Sequence, residues 1–251
     1  MHIASRKNFA CTQCGLCCQG WKIRLGLEEA LAWARRGHPI EILLSAALWP
    51  EEEPEPGSFA GFTLARSFAV PAGPVHLAIH ATLVGAFTGR CPNLLPDRRC
   101  AIYEERPVTC RLYPASADPF IRFDPTAKRC PPEAWATSSP GEAADWSPLI
   151  GRARNRGMED VPALRRLCHR LALDRCALAT EGLAAYRIAP AEFLRASADT
   201  CTETPRAFTM ISAEPGTMRS LTALGIPHEP PPAGGTPPSD PRLSWLGFPR
   251  D

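Results

Sequence analysis

The chain has 251 residues, 45% of them hydrophobic and 22% charged, with a formal net charge of +2 at pH 7. This length allows one large domain or one domain with elaborations, and the composition is that of an ordinary globular protein. So small a net charge, with no dense Lys/Arg run, argues against a nucleic-acid partner, and no window approaches the ~18 apolar residues of a membrane-crossing helix.

Cysteine is the residue out of proportion. There are 11, an odd number, so complete disulfide pairing is impossible. Residues 1–10 lack the apolar stretch of a secretory signal, so the expected location is cytoplasmic. Thiols stay reduced there, and a dense cysteine pattern reads as metal-binding or catalytic.

In chain order, Cys11-Thr-Gln-Cys14-Gly15-Leu-Cys17-Cys18 comes first. Four thiols this close cannot easily pair with relaxed disulfide geometry, whereas thiolates at this spacing converge when the backbone turns around an ion or cluster. Gly15 gives the turn access to positive φ. Vicinal Cys17 and Cys18 are expected to point apart. Residues 21–25 alternate like a strand. Residues 27–36 read as a helix, with Glu28 and Glu29 in the first turn, Arg35 and Arg36 in the last and Gly37 as its stop. Pro39 at a first helical position predicts a second helix over 39–48. Residues 51–57 form an acidic loop, and 59–70 and 75–84 read as two strands joined by Pro-Ala-Gly-Pro.

Residues 91–132 are irregular and too poor in periodicity to build a core, the kind of segment a metal holds. Residues 140–145 read as a linker. Asp160 is expected to cap a helix in which Val161, Leu164, Leu167, Cys168, Leu171 and Leu178 recur at helical spacing. A further helix is expected over 190–200. The expected fold class is therefore α+β: a small irregular cysteine-rich, metal-centred module with appended helices. Its expected parts are a metal-binding module over 1–135 containing a helix/strand insert at 21–87, a helical extension over 136–226, and a Pro/Gly-rich tail over 227–251. The tail is expected to be disordered, or laid on the surface by Trp245, Leu246 and Phe248.

The second cysteine group is Cys91-Pro92-Asn-Leu-Leu, then Cys100-Ala-Ile-Tyr103-Glu-Glu-Arg106-Pro107-Val-Thr-Cys110-Arg111-Leu-Tyr113-Pro114, then Cys130-Pro131. Ferredoxin-type clusters use C-x2-C-x2-C with another cysteine before proline, and both Cys91 and Cys130 precede proline. Zinc is the competing ion, since four thiolates satisfy its tetrahedral preference. Cys11, Cys14, Cys17, Cys18, Cys91, Cys100, Cys110 and Cys130 are the candidate metal ligands, and the two groups must meet in space if one centre uses both. Packing of these eight as ordinary buried thiols is the alternative.

These motifs resemble the YkgJ-type cysteine-cluster family, described as zinc- or iron-chelating domains. The resemblance covers residues 9–20 and 88–132 and implies metal or iron–sulfur binding; ligand chemistry alone puts an iron–sulfur cluster, of the four-iron type, first and zinc second. Flagellin lysine methylases share a similar cysteine cluster, which implies methyl transfer only by that analogy.

Arg106 and Arg111 are candidate cofactor-binding residues, because guanidinium groups offset the negative charge of thiolate centres. Tyr103 and Tyr113 are expected to pack over the site rather than donate to it. His76 and His80 could form a metal pair, but in a strand ordinary satisfied histidines are the simpler reading. Cys168, Cys176 and Cys201 read as structural, and Glu51, Glu52 and Glu53 as a solvated loop edge. Phosphate-loop, dinucleotide, nucleophile-elbow and zinc-protease motifs are all missing. No sequence signal for catalysis stands apart from the metal site, so the expectation leans to a non-enzymatic metal-binding protein. A structural or electron-transfer role, a cluster-dependent enzyme, and a metal-stapled module that grips a protein partner are the open classes.

Overall fold

The computed structural model describes residues 9–136, 146–199, 207–232 and 240–249. A single turn of 3₁₀ helix, Leu16–Cys18, precedes strand β1, Ile23–Leu25, and helix α1, Leu27–Arg35. Strand β2, Ile40–Leu48, is followed by α2, Phe59–Leu64, and by strands β3, Ser67–Ala72, and β4, Val75–Gly85. Short helices α3, Val108–Leu112, and α4, Glu133–Ala136, interrupt the cysteine-rich segment. Helices α5, Ser147–Glu159, and α6, Val161–Arg170, then lead to strands β5, Arg175–Leu178, and β6, Gly182–Ile188. Helix α7, Pro190–Ala198, strand β7, Thr209–Ile211, helix α8, Pro215–Ala223, and strands β8, His228–Glu229, and β9, Leu243–Gly247, complete the order. The fold is α+β, with one mixed nine-stranded sheet.

Strand β2 is the hub. One edge pairs antiparallel with β4 from Ile40↔Gly85 to Leu48↔Leu77, and the other with β6 and then, in parallel, with β5. Its alternation puts Ile40, Ile42 and Leu44 on one face, in register with Leu83 and Ala81 of β4 and with Ile188, Tyr186 and Ala184 of β6. All of these are buried, and α1, α6 and α7 cover them with Trp33, Leu164, Leu167 and Phe193. Each such aliphatic side chain removed from water contributes about 1.5–3 kcal/mol.

The helix expected over 39–48 is this strand. Pro39 instead ends the preceding turn, where its carbonyl accepts from Ala86 N at 3.0 Å and Trp33 Nε1 at 3.2 Å. Pairing on both edges outweighs the helix preference of the Leu/Ala-rich end. The strand expected from residue 59 starts only at Ser67. Ser58 caps α2 by accepting from Gly61 N at 3.0 Å, so residues 59–64 turn as a helix.

The segment 136–226, read from sequence as helical, also supplies β5, β6 and β7 to the shared sheet. Leu178 lies on β5, because α6 stops at Arg170 and Ala172 takes a positive φ of 54°. In the tail, β9 pairs antiparallel with β6 from Tyr186↔Leu243 to Gly182↔Gly247. Over these residues the tail follows its second expectation, laid on the molecule, rather than the disordered one. The linker expected at 140–145 and Cys201 lie outside the described residues.

A candidate metal centre built from two cysteine groups

Five devices bring the thiols together. Gly15 sits at φ 71° and Gln13 at φ 55°, so the chain folds back between Cys11 and Cys17. A Cβ on Gly15 would stand 2.8 Å from the Arg98 carbonyl, which leaves room only for glycine. The β1/β4 ladder, starting at Ile23↔Gly85, is prolonged by the bridge Gln19↔Arg90 and by Cys91 N–H donating to Cys18 O at 2.8 Å. An antiparallel pair thus carries the first cysteine group to the second across 73 residues of sequence, from Cys18 to Cys91.

Cys100 is returned to this place by its bridge to Leu94, and Ala101 N–H donates to Asn93 O at 2.8 Å. Cys11 meets the far end of the segment, because Ala10 N–H donates to Ala134 O at 2.9 Å and Phe9 packs on Trp135 at 5.0 Å. Cys110 rides on α3, whose first amide, Val108 N–H, donates to Glu29 Oε1 at 2.6 Å. The other oxygen of Glu29 accepts from Gly26 N at 2.8 Å, so one carboxylate caps both α1 and α3.

The result is a cavity of about 110 Å³ lined by all eight candidate cysteines together with Asn93, Arg106 and both tyrosines. None of the eight is in a disulfide, and Cys91 is the most buried of them while Cys11 is exposed. Cys17 and Cys18, expected to point apart, line the same cavity, because a 3₁₀ turn rotates successive residues by about 120° rather than 180°. Among the described residues, no group of three or more His, Cys, Asp or Glu side chains is gathered closely enough to hold an ion as it stands.

The thiols feel one another. Cys17 is driven far up by the hydrogen bond it shares with Cys18, then by burial. Burial pushes Cys110 up to about 12, and the neighbouring Cys17, Cys91 and Cys100 add to it. Cys130 is pushed up to about 11 by burial and then by Cys17, Cys14 and Cys11, and Cys91 moves the same way through burial. Cys17 acts on all three, which puts it in the middle of the set. Cys17, Cys91, Cys110 and Cys130, raised in this way, keep their protons until a cation takes their place.

Arg106 is at the site: its guanidinium lies 4.0 Å from Cys11 Sγ and stacks at 3.5 Å on the Tyr103 ring. Arg111 is not. It follows Cys110 on α3, where successive side chains diverge by about 100°, and it lines a separate cavity. Tyr103 and Tyr113, expected to pack rather than donate, do both: their hydroxyls share hydrogen bonds with Cys11 and Cys130, while the Tyr113 ring packs edge-on to Trp21 and its oxygen accepts from Arg129 N at 2.9 Å. His80 is satisfied away from the thiols by Arg66 O at 3.1 Å and Arg24 at 3.3 Å, and His76 lies four positions along the same strand, about 13 Å away. Cys168 and Cys176 are fully buried in the main core.

Two residues escaped the sequence reading. Glu29 was read only as a first-turn helix acid. Asn93 lines the thiol cavity, and its buried side-chain amide interacts with the Cys91 thiol while Nδ2 has no nitrogen or oxygen acceptor among the described residues. An amide donor facing thiols fits a thiolate-bound group, whose sulfurs accept such bonds. The donor set and this amide together fit a metal or iron–sulfur centre.

Residues 10–131, just short of half the chain, match the model of the CxxCxxCC family, described as a "Putative zinc- or iron-chelating domain". This segment is similar to that family, and the match supports metal binding by it. No curated protein and no solved structure matches the chain. No helix among the described residues is long and apolar enough to cross a membrane.

Proposed function

We propose that residues 10–131 hold an iron–sulfur cluster in a structural or electron-transfer role. The observation that carries this reading is the room between the thiols. A single ion is enclosed by four touching ligands and needs no void, whereas about 110 Å³ lies among these eight cysteines, several times the ~30 Å³ share of one water molecule. Cys11, Cys14 and Cys17 would supply three ligands, matching the triplet of ferredoxin-type loops. The remaining ligand would come from the second group, where Cys91 and Cys130 precede proline. Arg106 would offset the negative charge of the centre, and Asn93 Nδ2 would donate to a sulfur.

A bound cluster supplies one-electron chemistry and a rigid tie between chain segments. The surrounding residues orient the thiols, limit water and place one cation beside them. An all-thiolate set has no open position for activating water, which favours holding structure or passing electrons over hydrolysis. A compartment that keeps thiols reduced suits this chemistry.

Anaerobic purification followed by iron, sulfide and zinc analysis tests the reading. The expected preparation is brown, with iron and acid-labile sulfide in equal amounts. A colourless preparation with stoichiometric zinc and no sulfide would replace the cluster with a zinc site.

A further inference from the structure

A second cavity, of about 710 Å³, lies across α3 from the thiols. It opens where β4 loses its partners. Strand β1 ends opposite Leu83 and β3 begins opposite His80, so Ala81 and Thr82 face no strand on that edge. Helices α3, α5 and α6 contribute walls, and much of the lining is apolar: Leu25, Leu83, Leu112, Leu149 and Leu164. Six arginines also line it: Arg24, Arg66, Arg111, Arg152, Arg154 and Arg156.

Among the described residues, Arg156 alone of the six has a carboxylate partner, bound to Glu28 at 2.5 Å and Asp160 at 3.3 Å. None of the other five enters an ion pair among the described residues. Arg24 bonds instead to Thr82 Oγ1 at 3.1 Å and His80 Nε2 at 3.3 Å. Arg66 donates to the carbonyls of Phe62 and Arg154, and Arg154 to that of Ala117. Burial holds His80 down to about 4, so it stays neutral, and burial also works against the charge on Arg24 and Arg66.

The acids around the cavity do not balance this charge. Glu28 and Asp160 are engaged with Arg156, and Glu29 with the amides of Gly26 and Val108. Glu159 and Asp118 remain, and one Asp118 oxygen already accepts from Phe120 N at 2.9 Å. Asp118 acts on Arg24 and Arg66, so among the described residues five guanidiniums outside ion pairs stand against two remaining acids, and the recess beside the apolar wall carries excess positive charge.

We propose that this cavity binds an organic phosphate. The phosphate oxygens would take the guanidiniums of Arg111, Arg152 and Arg154, with Arg24 and Arg66, already bonded to the wall, adding positive charge, and the organic body would lie on the leucine wall. Guanidinium forks match phosphate oxygens in pairs. A single carboxylate, with one charge and two oxygens, would leave most of these arginines unmet, whereas a diphosphate would engage several. The volume falls in the range of small-molecule sites. The inference does not depend on which metal the thiols hold.

Calorimetric titration of the full, metal-loaded chain with adenosine diphosphate, farnesyl diphosphate and inorganic pyrophosphate tests it. At least one ester is expected to bind saturably, about tenfold tighter than pyrophosphate. The double substitution Arg111→Ala/Arg152→Ala is expected to weaken that binding at least about tenfold. Neither side chain makes a hydrogen bond among the described residues, so the variant is expected to keep its melting temperature and metal content. Arg99→Ala, whose side chain pairs with Asp97 at 2.7 Å on the surface, is expected to change nothing. The proposal is overturned if neither ester binds at millimolar concentration, if the double variant binds as tightly as the parent, or if pyrophosphate matches both esters.

Discussion

Gly15 shows how much of the site rests on single residues. Its φ of 71° is disfavoured for side chains with a Cβ, and the nearest atom to a built Cβ is a backbone oxygen at 2.8 Å, which cannot swing away. Gly15→Ala must therefore open the loop that carries Cys14, Cys17 and Cys18. The expected cost is about 1–3 kcal/mol of stability, read as a lower melting temperature, with a matching loss of bound metal. Unchanged metal content would show that the loop geometry is not what gathers these thiols. The role of Gly15 was legible because a glycine between closely spaced cysteines has few other uses. Asn93 was not legible. A buried amide donor aimed at sulfur looks, in sequence, like any asparagine in a turn.

At the scale of elements, Glu29 is the tie that sequence could not reveal, because its second partner, Val108, lies 79 positions away. The carboxylate closes the first turn of α1 and the first turn of α3 together. Glu29→Ala leaves two helix amides without acceptors, and the expected loss is about 1–3 kcal/mol. Because α3 carries Cys110, the variant is also expected to hold its metal less tightly, as competition with a chelator would show. Full metal retention at a reduced melting temperature would confine Glu29 to a purely structural role. The same scale explains the misread segments. Residues 40–48 have local features of both helix and strand, and only their position between β4 and β6 decides for strand. Residues 59–64 are settled locally, by the Ser58 cap, which the strand reading overlooked. Helix α1, its Gly37 stop at φ 82° and α7 were readable because their signals are local and agree with one another.

For the whole molecule, the sheet is what joins the two cysteine groups. Strand β1 enters the sheet at the end where antiparallel β4 leaves it, so the loop before β1 and the loop after β4 must meet. Ligand counting anticipated the meeting, because residue type and spacing define thiolate chemistry. The sheet itself was only partly foreseen, since its strands come from both halves of the chain and long-range pairing leaves little local trace. Helix α3 stands between the thiol cavity and the arginine cavity, with Cys110 lining one and Arg111 the other. The central claim is that both cysteine groups serve one centre. Its most direct test is the metal content and visible spectrum of single variants purified without oxygen: Cys14→Ala from the first group, then Cys91→Ala, Cys100→Ala, Cys110→Ala and Cys130→Ala from the second. Cys168→Ala serves as a core-thiol control. The account predicts that Cys14→Ala and at least one second-group variant lose the same absorption band, while Cys168→Ala keeps it. An intact band in all four second-group variants would contradict it.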